Sequence, residues 1–285
     1  MDSSAESQKM VFKKLWEIMH TVVHDRPKGN KKYDQVYMNA EDMWHQIKIM
    51  EKYIADKDIV FLGDGDGISI LIALLIKNKR IKTRVKSITV LDFDERILKN
   101  YSQLSEEFGI EEFHCHRYNV IQPLPRKFKQ KYDFFYINPP FGSKNNGNSC
   151  IAWLHRCIEL CNNNSSGCII MPYMKNEEGK EWTVNNMHNI QEFLINNGFV
   201  MGQMNHDIHR YRLKDNPNLK SSTFFVDRVK NALLHFDGKY LPDEFVVNMY
   251  GDPREIPEYI SDDESKYGKL HLDWKYGQKE WWLKK

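Results

Sequence analysis

The feature that most constrains this chain is an alternation beginning at Asp58, in which short apolar runs end in turn residues and are followed by stretches of helical period. The runs IVFLG (59–63), SITVLDF (87–93), EFHCHRYN (112–119), YDFFYIN (132–138) and GCIIMPY (167–173) read as strands. ISILIALLIKN (68–78), DERILKNYSQLSEEFG (94–109) and CIAWLHRCIELC (150–161) read as helices between them. A further helix at about 183–197 leads into strands near Phe199–Met204 and Ser222–Val229. Parallel strands joined through helices require right-handed crossovers, so the predicted fold is α/β with a doubly wound, mostly parallel sheet.

Two flanks lie outside this pattern. Val11, Leu15, Ile18, Met19 and Val22 predict an amphipathic helix over 9–23, and HDRPKGNKK (24–32) reads as a basic linker. Asn39 as N-cap opens a second helix to about Ala55. The tail from about 231 has three prolines (242, 253 and 257), scattered aromatics and an acidic run, Asp262-Asp263-Glu264, read as a solvated loop. The expected organisation is a helical segment (1–55), a catalytic domain (56–230) and an irregular extension (231–285).

Composition excludes several classes. Lys+Arg 41 against Asp+Glu 39 leaves a formal charge of +2, so no whole-protein field drives nucleic-acid binding. The chain has no apolar run of membrane-spanning length and its first residues lack a signal-peptide core, so a cytoplasmic protein without a membrane partner is expected. Five cysteines without a C-x-x-C pair argue against a disulfide framework, and Cys150, Cys157 and Cys161 are expected to pack in a core rather than hold metal. The basic run 77–86 should lie on the edge opposite any ligand.

Four positions should project from one sheet edge. Two prolines after the fourth strand end it abruptly, so Asn138, Pro139, Pro140 and Phe141 form a fixed turn. The Asn138 side-chain carbonyl and the Pro139 carbonyl offer two acceptors to an amine, and Phe141 offers a flat face to a planar ring. After the first strand, Gly63, Gly65 and Gly67 would let backbone N–H groups approach a ligand, with Asp64 and Asp66 between them. Asp92 ends the second strand, where a carboxylate can accept from ribose hydroxyls, with Asp94 just beyond; Asn119 ends the third and could read an adenine edge. Lys144 and Asn145 in the loop after the turn, and Arg210 and Tyr211 in HDIHRYRLK (206–214), are candidate substrate contacts.

With its Asn-Pro-Pro-Phe turn the chain resembles Rossmann-like class I methyltransferases dependent on S-adenosylmethionine (SAM) that act on amino groups. Over about 26–229, RPKGNKKYDQVYMNAEDMW, VFLGDGDG, VLDFDERIL, YNVIQPLP and YDFFYINPPF resemble the branched-chain polyamine synthases, the bis-aminopropyl spermidine synthases. Locally NPPFGSKNNG is similar to the turn of ribosomal-RNA adenine methyltransferases. The resemblance implies SAM or decarboxylated SAM as cofactor, with nucleic-acid adenine or a polyamine as acceptor.

The departures pull in opposite directions. Polyamine synthases carry Asp in the turn, to bind a protonated amine and take its proton, whereas Asn138 suits a neutral aromatic amine. Asp64 and Asp66 would repel the carboxylate of SAM and suit its decarboxylated form, although one of them could hold the ammonium group of SAM. Phe61 replaces the acid that usually opens the first motif. Weighing the transfer site more heavily gives N-methyl transfer to an exocyclic amino group as the first expectation. Aminopropyl transfer is the second, and a catalytically silent SAM-fold binding module the third.

Overall fold

A computed structural model describes residues 15–174 and 181–250. The acidic run at 262–264, the prolines at 253 and 257, and residues 9–14 of the expected N-terminal helix lie outside the described residues. Seven strands form one sheet: β1 (Asp58–Leu62), β2 (Ser87–Asp92), β3 (Phe113–Arg117), β4 (Tyr132–Ile137), β5 (Cys161–Met171), β6 (Phe199–Arg210) and β7 (Lys220–Arg228). Their spatial order is β3-β2-β1-β4-β5-β7-β6, with β1 to β5 parallel and β7 antiparallel to both its neighbours. This is the mostly parallel, doubly wound α/β sheet expected from the sequence. Strand order reverses between β1 and β4, and their carboxyl ends flank the crevice where such sheets bind ligands.

Alternating side chains supply two cores. Ile59 and Phe61 of β1, Phe134 and Tyr136 of β4, and Cys168 and Ile170 of β5 face one layer. Val60, Leu62, Phe135, Ile137, Ile169 and Met171 face the other. The first layer holds α1 (15–25), α2 (Ala40–Met50), α3 (Ile68–Lys77) and α4 (Glu95–Glu107). The N-terminal helices therefore share their core with the sheet: Val22, Met43 and Ile47 are fully buried in it. The second layer holds α5 (Asn148–Leu160) and α6 (Glu181–Asn196), together with Leu241, Phe245 and Met249 of the extension around the short α7 (Asp243–Val246). A buried clamp fixes that extension: Arg156 binds Glu159 at 2.9 Å while donating to the carbonyls of Val120 and Lys239, each at 2.9 Å. Cys150, Cys157 and Cys161 are buried in this layer. Among the described residues no helix is long and apolar enough to cross a membrane, and no acid, His and Cys group has a metal-holding arrangement.

Two strands run further than their apolar patterns predict. β5 begins at Cys161 rather than 167, across the polar residues 162–166 and a register shift between Tyr132 and Phe134. β6 runs on through His206–Arg210, beyond the expected end near Met204, because β7 still offers ladder partners: His209 pairs with Ser221 and Arg210 with Lys220. Edge position explains the masked signal, since one face of β6 meets solvent and carries polar side chains. α2, by contrast, stops five residues short of Ala55.

Candidate functional site

A cavity of about 290 Å³ opens where β1, β2 and β4 end. The turn after β1 contributes Gly63, Asp64, Gly65 and Asp66; β2 contributes Asp92 and the following Phe93; β4 is followed by Asn138, Pro139, Pro140 and Phe141. Lys144 lines the rim. The remaining wall was not evident from the sequence: the segment read as a basic linker, with its continuation, supplies Lys31, Tyr33, Asp34, Gln35 and Tyr37.

This strap is held by backbone-directed bonds rather than by an apolar pattern. Arg26, buried, donates to the carbonyls of Asp66 (3.0 Å) and Met38 (2.8 Å), and the Met38 N–H donates to Asp66 Oδ1 at 2.6 Å. The glycines serve the strap and helices more than a ligand. A Cβ on Gly65 would lie 2.6 Å from the Tyr37 ring; at Gly67, in the left-handed region (φ +86°), it would meet Val22 at 2.9 Å. Gly67 is the N-cap of α3 and does not line the cavity.

The two acids of the glycine turn do different work. Asp64 Oδ1 accepts from the Ile68 N–H (3.1 Å) and Oδ2 from the Ser69 N–H (2.8 Å), so its carboxylate occupies the first free donors of α3. Burial pushes its pKa up to about 8. Asp66 holds the strap through Oδ1 and accepts from Asn138 Nδ2 at 2.7 Å through Oδ2; burial raises its pKa as well. Asn138 thus brings a carboxylate with it, and among the described residues none donates to its Oδ1. Asp34, whose Oδ2 accepts from the Phe141 N–H at 3.2 Å, is a second carboxylate beside the same turn.

Five Asp (34, 64, 66, 92 and 215) and two Lys (31 and 144) line the cavity. Lys31 is buried and ion-paired with Asp215 at 3.0 Å. At the other end Asp92, raised by burial to about 6, accepts from the backbone N–H groups of Asp64 and Asp94. Tyr33, Phe93 and Tyr250 meet there with ring centroids 4.8 to 6.5 Å apart. Tyr250 comes from the extension. An acid beside flat apolar faces fits a nucleoside, with ribose at Asp92 and the base against Phe93.

Other candidates lie apart from the cavity. Asp94 is the N-cap of α4 and pairs with Arg96 at 2.6 Å, so its oxygens are spent locally. Asn119 turns its Oδ1 back to the Ile121 N–H at 3.1 Å. Asn145 Nδ2 donates to Ser149 Oγ at 3.0 Å. Arg210 is exposed on β6, and its backbone N–H donates to Asp42. Tyr211 is 2% exposed, its ring edge-on to Phe141 at 6.0 Å and its hydroxyl 3.0 Å from Ser221 Oγ. Tyr211 is therefore a wall behind the turn rather than a surface that a nucleic acid could meet.

Known proteins are similar to this chain in sequence or in fold. The family profile for the branched-chain polyamine synthase A C-terminal domain matches residues 14–270. N(4)-bis(aminopropyl)spermidine synthase of Thermococcus kodakarensis is 30% identical over 131 residues, which is 45% of this chain and 35% of that protein. An uncharacterized protein of Methanocaldococcus jannaschii is 25% identical over 209 residues, 72% of this chain and 47% of its own. The matched part of the chain spans less than half the length of either relative. In fold it is similar to the Thermus thermophilus branched-chain polyamine synthase C9 mutein, solved with N4-aminopropylspermidine and 5'-methylthioadenosine. That match has a TM-score of 0.67 at 18% identity and covers 84% of this chain and 68% of the other. The Thermus thermophilus branched-chain polyamine synthase with the same two ligands gives 0.61 at 18% identity, covering 81% and 69%.

Proposed function

Because the chain belongs to the branched-chain polyamine synthase A C-terminal domain family, we propose that it is an aminopropyltransferase, taking the aminopropyl group of decarboxylated SAM to an aliphatic polyamine. The carrying observation is the placement of Asp64. A methionine carboxylate at the glycine turn needs donors, and the donors that open α3 are already taken by a side-chain carboxylate. SAM would bring a carboxylate to donors already taken; the decarboxylated compound brings none, and its ammonium and sulfonium favour the anionic form of Asp64. When bound, it supplies a carbon next to sulfonium that an amine lone pair can attack, with methylthioadenosine leaving.

The chain's own residues divide the remaining work. Asp92 and Phe93 hold the nucleoside. Asn138 Oδ1 and the Pro139 carbonyl accept the N–H groups of the acceptor amine and aim its lone pair, a contribution of proximity and alignment. Asp34 and Asp66 stabilise the amine as a cation when it enters, and Asp34 is placed to take its proton. The neutral Asn138, which on sequence favours an uncharged aromatic amine, loses that force once Asp66 is found 2.7 Å behind it. N-methyl transfer is accordingly the second reading, supported by the Asn-Pro-Pro-Phe turn itself, and nucleic acid is the acceptor it would need.

Calorimetry with SAM and with decarboxylated SAM, followed by mass spectrometry of products from spermidine, RNA and DNA, tests the choice. Aminopropylated spermidine and preferential binding of the decarboxylated donor are expected. Methylated nucleic acid made from SAM, with spermidine untouched, would reverse the order of the two readings; binding without turnover on any acceptor would leave the silent module.

A further inference from the structure

Pro139 and Pro140 carry no N–H, so the backbone between Asn138 and Phe141 has no donor of its own and its far end must be fixed from outside. Phe141 is where that happens. Its N–H is held by Asp34 of the strap, and its carbonyl by Asn186 of α6. Asn186 is 2% exposed, and its Nδ2 donates to the carbonyls of Phe141 at 2.9 Å and Gly142 at 3.1 Å. Both partners are acceptors only, so the amide stands one way round, with one proton for each carbonyl.

The surroundings are built to admit this side chain. A Cβ on Gly147 would lie 3.3 Å from the Asn186 amide carbon, and the Gly147 N–H donates to the same Gly142 carbonyl at 3.1 Å. α6 is fixed close by, where Thr183, 0% exposed, accepts from the Met174 N–H at 3.1 Å. Trp182, one turn before Asn186, lines the cavity. Residues one turn apart share a helix face, so the face of α6 that grips the turn also meets the ligand.

We propose that Asn186 is a positioning residue: it holds the far end of the transfer turn and thereby sets where the Pro139 carbonyl and the Phe141 ring stand against the acceptor. Without it the Phe141 carbonyl loses its donor, and the turn is held at that end by the strap alone. A misplacement of about 1 Å at the reacting amine is enough to slow transfer. The acceptor used in the test rests on the aminopropyl-transfer reading; the grip on the turn serves any transfer made there.

Steady-state kinetics with decarboxylated SAM and spermidine, calorimetry with methylthioadenosine, and hydrogen-exchange mass spectrometry test the grip together. Asn186→Asp keeps the shape but sets a carboxylate against two carbonyls, and should lower kcat about thirtyfold; Asn186→Ala should lower it about tenfold. In both, methylthioadenosine affinity should stay within about twofold, since Asp92 and Phe93 are untouched, and the backbone amides of 141–147 should exchange faster. Asn189→Ala removes a neighbouring bond from the same helix, to the Asn146 carbonyl at 3.1 Å, and should match the wild type in every measurement. Unchanged kcat in a folded Asn186 variant, an equal loss in Asn189→Ala, or a loss of methylthioadenosine affinity in step with kcat overturns the proposal. Should both Asn186 variants fail to fold, nitrogen-15 NMR of the wild-type protein decides: two solvent-protected side-chain protons on Asn186 are expected, and freely exchanging ones overturn it. Should the wild type transfer nothing to any amine, the aminopropyl reading falls, and faster exchange over 141–147 in Asn186→Ala but not in Asn189→Ala still upholds the grip, while equal exchange overturns it.

Discussion

The parallel and antiparallel halves of the sheet place function by different rules. In the parallel half, Asp64, Asp92 and Asn138 lie at or just beyond the end of β1, β2 or β4, where the chain leaves the sheet and one edge collects them. In the antiparallel half, His209 and Ser221 are paired across β6 and β7 within the ladder, and they meet the wall of the site through Tyr211, whose ring lies edge-on to Phe141. A strand-end residue acts on ligand directly and is specified by its position in the chain. A ladder residue acts through neighbours and is specified by register. The difference predicts an order of functional weight that mutation can break.

The largest effect belongs to Asn138, where the two halves meet. Asn138→Ala removes the amine acceptor and leaves Asp66 Oδ2 without its donor. A fall in kcat of roughly 10²-fold is expected from lost alignment, with donor affinity retained. Steady-state kinetics alongside calorimetry checks this; unchanged turnover would remove the turn from the mechanism and move attention to Asp34.

Legibility followed the same division. The apolar runs of β1, β4 and β5 were evident because they end in glycine or proline, and the marks after β1 and β4 also locate the cavity. The N-terminal part of β5 and the far end of β6 were not, because residues 162–166 are polar, 206–210 are mostly polar, and both stretches lie where the ladder register shifts. His209 stood in plain view inside HDIHRYRLK, yet nothing local separates a ladder histidine from a loop histidine. The strap at 31–38 was hidden by its charge: a basic Gly/Pro-containing stretch has the composition of a solvated linker, and the bonds from Arg26 and Asp66 that make it a wall join residues up to 40 positions apart. The acids of the glycine turn were located by sequence, but their division of labour depended on Ser69 and Met38, which only the fold brings to them.

A middle-sized effect tests the donor end of the cavity. Asp64 is protonated in the free protein below about pH 8, because burial penalises its anion. A dicationic donor favours the anion, so binding should expel a proton from Asp64. Affinity should therefore rise with pH, about fivefold between pH 7 and 8 in the limit of one proton released, and flatten above that. Calorimetry in buffers of differing ionisation enthalpy counts the proton directly. Affinity that falls over this range, or proton uptake on binding, would show that Asp64 is not a donor-side carboxylate.

The smallest effect is expected at Asn119, where strand-end placement and actual use part company. By the rule of the parallel half it should touch the donor, since it follows β3 as Asp92 ends β2. But β3 is the outermost strand, and Tyr118 and Val120 line the cavity on either side of a side chain that turns back to its own loop. Asn119→Ala should cost about 1 kcal/mol or less of stability, the weight of one exposed-side turn bond, and leave donor affinity within about twofold. Paired melting and binding curves measure both. A tenfold loss of donor binding without a change in melting would make Asn119 an adenine contact and extend the strand-end rule to the third strand; the expected result limits that rule to the strands on either side of the switch point and to β2.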